Sequence, residues 1–360
     1  MLNLFSDEKV NTGRQVELDI AKALSIIFMI FLHVLMVVKG FNYSLSPAYD
    51  FIISNVLGRP CAAPVFMFCM GVGIVYSRHS QWNVMIRRGI ILYLTGIVVN
   101  VFEFIMPGFI SGTLLGRWDI FPMAGGLLLF CVDILAFAGL AFVTMGILKK
   151  FEVSNKWMIV IAVAMSLIGT FTRGFDFGIP ILNLFFANFI GSAGGFSAFP
   201  LFNWFIFPTA GLIWGQYFIR ATDKRRFFRF WPIFIIAGFV YFYVTSFVFG
   251  SGVFSKDVHL YYFMTTLDAI FCIIYAHGII GLCFWAIRFL PEKILKIFSI
   301  LSSNINSIYV AQWFFIPLTI IFISYFFKSV VYTDLLTFII AVCILTLSTA
   351  VALEYKKLRL

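Results

Sequence analysis

The sequence predicts an all-α integral membrane protein of about ten transmembrane helices, with both termini in the cytoplasm. Three observations carry that expectation: 62% of the 360 residues are hydrophobic and only 12% charged, the apolar runs are continuous, and Lys and Arg fall unevenly between the loops. A soluble domain carries roughly 45–50% apolar and about 25% charged residues. With a mean hydropathy of +1.00, lipid must be the main solvent. A run of ~18–25 apolar residues crosses ~30 Å of hydrocarbon as a helix, whereas a β-barrel would show short alternating segments.

The runs place spans near 17–38, 51–77, 83–104, 121–148, 157–172, 199–219, 230–249, 260–287, 299–326 and 333–353. The stretch 173–198, rich in Gly and Phe, reads as interfacial or re-entrant. With no internal repeat and no linker, residues 1–360 read as a single membrane domain. The first run follows a polar, mixed-charge leader without a small-residue cleavage site, so no cleavable signal peptide is expected.

Orientation follows from the cations. Of the 26 Lys and Arg, 19 fall on one set of loops and tails, and 5 (Lys39, Arg117, Arg173, Lys256 and Lys328) on the other. Cytoplasmic loops retain Lys and Arg, so the crowded side is expected inside. The net charge of +10 therefore speaks of topology and contact with anionic membrane lipids, and no nucleic-acid partner is implied. The six cysteines all lie in apolar runs and read as packing residues. No Cys/His cluster has metal-ligand spacing, so no metal is expected.

An ionisable residue inside a bilayer is costly and marks a functional site by default. Asp19, Lys22, His33, Arg59, Asp133, Asp268 and His277 qualify. On the first span Asp19 and Lys22 share a helix face. His33 follows Lys22 by eleven residues, close to three turns, so it shares that face about 16 Å further along the axis. The plainer reading has Lys22 snorkelling to the surface and His33 bonding a neighbouring helix. Arg59, beside Pro60, could bind an anionic or sugar group, or pair with Glu103 at the same level. Asp133 reads as a mid-span carboxylate that must find a partner across helices. Asp268 and His277, nine apart, face opposite directions. Gly71 and Gly73 would allow close helix approach. Ser303, Asn304, Asn306, Ser307 and Gln312 form a polar stripe suited to helix–helix bonding or to a ligand. His79 and His259 read as solvated.

These residues resemble a known group. The stretch R-x₃-L-D-x₂-K-x₁₀-H, from Arg14 to His33, is similar to the opening of the transmembrane acyltransferases, the acyltransferase family 3 O-acetyltransferases and the heparan-α-glucosaminide N-acetyltransferase family. PVFMFCMGVGI, CVDILAFAGL, FPLFNWFIFPTAGLIWGQ and SSNINSIYVAQW resemble further segments of that group, in the expected order from the first span to the ninth. Lys22 and Ala23 stand where the group has Arg and Gly, and Lys keeps the charge but not the fork geometry.

The resemblance implies an acetyl-CoA-dependent O- or N-acetyltransferase in a bacterial cytoplasmic membrane, acting on a carbohydrate or glycolipid acceptor at the outer face. His33 would be general base or transient acyl carrier, with Asp133 or Asp268 orienting the imidazole or the acceptor. Lys22, Arg14, Asp19, Asn304 and Gln312 would serve acetyl-CoA, and Arg59 and Glu103 the acceptor. A homo-oligomer is compatible with this. The alternative is a proton-coupled transporter or flippase using His33, Asp133 and Asp268, against which the lack of repeats counts.

Overall fold

The first apolar run forms α1, Val16–Val38, with Glu17 and Asp19 in its first turn, where carboxylates complement the helix dipole. A computed structural model describes residues 4–121, 127–192 and 197–358. Beyond α1 come α2 (Ala63–Tyr76), α3 (Trp82–Asn100), α4 (Met106–Leu115), α5 (Ile134–Lys150), α6 (Asn155–Thr172) and α7 (Pro180–Ile190). The second half holds α8 (Ile206–Phe218), α9 (Trp231–Phe247), α10 (Thr266–Ala286), α11 (Glu292–Ser303), α12 (Ile305–Phe326) and α13 (Asp334–Leu358). α1 packs against α2, α10, α11, α12 and α13, which makes it the axis of the bundle.

Among the described residues, eight helices are long and apolar enough to cross a membrane. Two expected spans are shorter than predicted. The expected 121–148 span forms a 3-10 turn over Leu127–Phe130 and becomes α-helical only at Ile134, leaving the 17-residue α5; residues 122–126 lie outside the described residues. The 199–219 span is divided at Phe205 into Leu201–Trp204 and the 13-residue α8. The 83–104 span instead runs on to Leu115, and 299–326 is broken at Asn304 between α11 and α12. The 173–198 stretch contains α7, a shorter apolar helix.

Proline explains two of the irregularities. Pro107 has no N–H for the carbonyl four residues back, and the chain widens to a π-helix over Val101–Ile105 between α3 and α4. The chain before α2 is likewise π-helical over Ile52–Gly58 and then turns at Arg59-Pro60.

Glycine sets the closest helix contacts. A Cβ on Gly71 would lie 2.0 Å from Pro208 O, and one on Gly211 1.9 Å from Phe68 O. α2 and α8 therefore touch backbone to backbone, the close approach that small residues permit in membranes. Gly73, expected to do the same, has nothing within 4 Å and faces a cavity instead.

A two-residue parallel pairing, Tyr43 with Tyr332 and Ser44 with Thr333, ties the chain just past α1 to the start of α13. Ser46 adds hydrogen bonds of 2.9 and 2.6 Å to the Asp334 carboxylate. The far ends of α1 and α13 lie at the other end of the bundle. Lys9, Arg14, Lys224, Arg229, Lys356 and Lys357 belong to that end, hereafter the basic end.

Candidate active site

The site begins on the inner face of α1. Asp19 is 7% exposed and accepts from Arg14 Nε, from Ser302 Oγ at 2.6 Å and from Lys22 Nζ at 3.3 Å. Arg14 also donates to Ser299 O at 3.3 Å. This network clamps the start of α1 to α11. It also aims Lys22, whose side chain remains 31% exposed, into a cavity of about 180 Å³ at the basic end. His79, Ser80, Arg88 and Asn306 share its wall with apolar groups such as Phe66 and Leu135, and among the described residues no carboxylate lines it.

Pockets that take drug-sized ligands span about 300–1,000 Å³. A large donor would therefore enter this mouth only in part. His33 is not among the lining residues. Ile26 and Met29, on the stripe of α1 that joins Lys22 to His33, are 0% and 3% exposed and occupy the interval. The cavity wall nevertheless reaches Leu135, two residues from Asp133, and Asn306, one turn from Tyr309.

His33 lies beyond that interval in a polar cluster that four chain segments assemble. Its ring stacks on Trp313, with centroids 4.3 Å apart and planes at 27°, and meets the Tyr309 ring edge-on at 6.3 Å. Trp313 Nε1 donates to Tyr309 Oη at 2.9 Å, and Tyr309 Oη donates to Asp133 Oδ2. The indole under the imidazole is thus fixed by a chain that ends on a carboxylate. Tyr309, Gln312 and Trp313 are spaced i, i+3, i+4 on α12, which puts them on one face.

The cluster also holds polar atoms without partners. Among the described residues, His33 Nδ1, both amide atoms of Gln312 and Glu103 Oε2 are buried and find no hydrogen-bond partner. Gln312 is 0% exposed and lies beside His33. A buried, unpaired polar atom costs about 1–3 kcal/mol. His33, Gln312 and Glu103 each bear this cost, and orphaned buried polar atoms of this kind call for an explanation such as a group that binds there.

Non-helical backbone brings Asp133 into this position. Val132 O accepts from Ala198 N and Phe199 N, each at 3.0 Å, and Asn100 Nδ2 donates to Leu129 O and Cys131 O, each at 2.8 Å. Irregular chain is tolerated inside a membrane protein when protein groups satisfy it in this way.

Several sequence expectations need correction. Asp133 is not mid-span: it precedes the first turn of α5 with extended backbone (ψ 177°), and its side chain turns to Tyr309 instead of capping. It does not bond His33. Asp268 sits in the first turn of α10, in a capping box with Thr265, and accepts from Thr265 N at 3.0 Å, Thr265 Oγ1 at 2.7 Å and Tyr241 Oη at 3.2 Å. These bonds occupy both its oxygens at the helix start, and none leads to His33.

Arg59 does not pair with Glu103. Its guanidinium donates to Val253 O at 3.1 Å and to Ser255 O, and its own carbonyl accepts from Tyr261 Oη at 3.0 Å. Glu103 lies near Asp133 and Tyr309 instead. Asn304 ends α11 by donating to Ile300 O at 2.8 Å, and Asn306 is the asparagine that reaches the mouth. Gln312 belongs to the His33 cluster rather than to the mouth.

Tyr309 and Trp313 were not singled out from sequence as site residues, although their spacing from Gln312 carried the signal. Arg88 had no such pattern, whereas Asn306 belonged to the polar stripe seen in the sequence. His79, expected to be only solvated, lines the mouth. His277 stands apart from all of them: its Nδ1 accepts from Trp214 Nε1 at 2.8 Å, and Phe227, Phe228 and Phe234 surround it.

Residues 15–355 match the family model described as an acyltransferase domain. No curated protein and no solved structure matches the chain.

Proposed function

This chain belongs to acyltransferase family 3, and from that premise we propose that it moves an acetyl group from cytoplasmic acetyl-CoA to a hydroxyl or amine of a carbohydrate or glycolipid beyond the membrane. It is a multi-pass membrane acyltransferase. In this reading ten segments cross a bacterial cytoplasmic membrane as one domain, α5 and α8 being the two short ones. The basic end and both termini face the cytoplasm.

The observation that carries the reading is the buried, unpartnered Nδ1 of His33, aligned on α1 above the Lys22 mouth. Lys22, held by Asp19, would attract the donor phosphates as a point charge. The pantetheine arm would pass Ile26 and Met29, and the flexible Met29 side chain is suited to yield. At the cluster, His33 takes the proton from the acceptor as its oxygen or nitrogen attacks the thioester carbonyl. The new C–O or C–N bond forms and the C–S bond breaks. The leaving thiolate then takes the proton from His33, giving free CoA.

Gln312 would serve the same step. Its unpaired Nε2 hydrogens are available to the oxygen on which charge develops. Asp133 and Tyr309 are positioning residues, since they act through Trp313 on the plane of the imidazole.

The test uses the purified protein in nanodiscs. Calorimetry should show acetyl-CoA binding, and free thiol should be released when glucosamine or glucose is supplied as a simple acceptor. A folded protein that binds neither acetyl-CoA nor CoA overturns the donor assignment.

A further inference from the structure

A second cavity adjoins the mouth at the basic end. It measures about 360 Å³ and is lined by Lys9, Lys149, Asn155, Gln216 and Arg220 among others. Ile74 and Ser80 line both cavities, so one wall separates and joins them.

Its charge is one-sided. Among the described residues, three cations line it and no carboxylate does. Lys149 Nζ donates to Ser80 O and, at 3.4 Å, to Ser80 Oγ, so the lysine stands at the junction itself. Asn155 and Gln216 hydrogen-bond each other across the lining. Among the described residues, none of the three cations makes a salt bridge with an acid.

The three like charges come from distant parts of the chain: the N-terminal strap, the end of α5 and the turn after α8. The strap is held there by Ser6 N on Arg220 O and Val10 N on Ile219 O, both 2.9 Å. Like charges gathered around a concave space repel one another unless an anion joins them. The adjoining mouth adds Lys22 and Arg88 on the far side of Ser80. A ligand filling both cavities would need one end rich in phosphate, a second anionic group near the junction and a slim, less charged arm.

We propose that the Lys9–Lys149–Arg220 cavity holds the phosphorylated nucleotide end of the acyl donor, its 3′-phosphate above all, while the pantetheine arm enters the Lys22 mouth. The inference rests on the acetyl-CoA reading given above. It adds that these three cations select a donor bearing the 3′-phosphate over one without it.

The experiment is a cycle of two ligands and two proteins. Binding of CoA and of dephospho-CoA, which lacks only the 3′-phosphate, is measured by calorimetry in nanodiscs. The wild type is compared with a Lys149→Ala/Arg220→Gln variant. The wild type should prefer CoA by about tenfold or more, the scale of a charged hydrogen bond. In the variant that preference should fall to near unity. Lys149→Arg should retain most of it.

A variant that still binds both ligands and keeps the wild-type ratio overturns the proposal. So does a wild type that binds both ligands equally. Repeating the measurement in phosphatidylglycerol and in phosphatidylcholine nanodiscs separates the phosphate sources. A cavity that belongs to a lipid headgroup would show no 3′-phosphate preference in either bilayer. A wild type that binds no CoA at all removes the donor reading first, and this inference with it.

Discussion

The molecule holds two half-buried histidines on apolar helices, and their surroundings differ in one respect. His277 on α10 lies in an aromatic box, and the Trp214 indole N–H meets its Nδ1 at 2.8 Å. His33 on α1 also lies against a tryptophan, but Trp313 offers its face and gives its N–H to Tyr309 instead. Nδ1 of His33 is left sealed and unpaired. The same two residue types thus form a closed contact in one region and an open one in the other. Packing needs a satisfied imidazole; proton transfer needs one whose nitrogen is still available.

That contrast sets the largest expected effect. His33→Ala should lower acetyl transfer by roughly 10²–10⁴-fold, the loss typical of a positioned acid–base group, with CoA binding and folding retained. Turnover and calorimetry on one preparation check it. Near wild-type turnover in that variant would break the comparison at its first step.

The next effect sharpens it. Tyr309→Phe removes the hydroxyl that links Trp313 to Asp133 but keeps the ring. The indole should lose its fixed orientation, and turnover should fall by about 10–10²-fold, in the range that misplacement of a reacting group costs. KM for the donor should stay unchanged, because the tyrosine lies beyond the mouth. A variant whose KM rose while kcat held would assign Tyr309 to donor binding instead.

The smallest effect concerns the closed site. Trp214→Phe leaves His277 Nδ1 without its donor and should cost about 1–3 kcal/mol of stability, read as a lower midpoint of thermal unfolding. Turnover should change by less than about threefold, since no step is routed through that ring. Strong loss of turnover without loss of stability would move His277 into the machinery.

Much of the architecture was legible in the sequence because its cause is compositional. Long apolar runs have to be helical where no water can satisfy the backbone, and Lys and Arg mark one end. The alignment of Asp19, Lys22 and His33 was legible too, since helical periodicity is local. The irregular parts were not. Asp133 and Asp268 fall within apolar sequence, so Asp133 read as mid-span and Asp268 as a residue inside the eighth span. Only the pairing of Val132 with Ala198 and Phe199, and the Thr265 capping box, reveal them as the starts of helices.

The candidate site divides along the same line. The sequence by itself determined that a charged and a titratable group share one face of the first helix, because 3.6 residues make a turn wherever the helix lies. Which groups meet them was decided only by tertiary structure. Nothing local in Arg59 directs it to the carbonyls of residues 253 and 255, and nothing local in Asp133 directs it to Tyr309, 176 residues away. Such partners depend on how helices cross. That in turn depends on backbone contacts such as Gly71 against Pro208, which one chain segment cannot specify without the other.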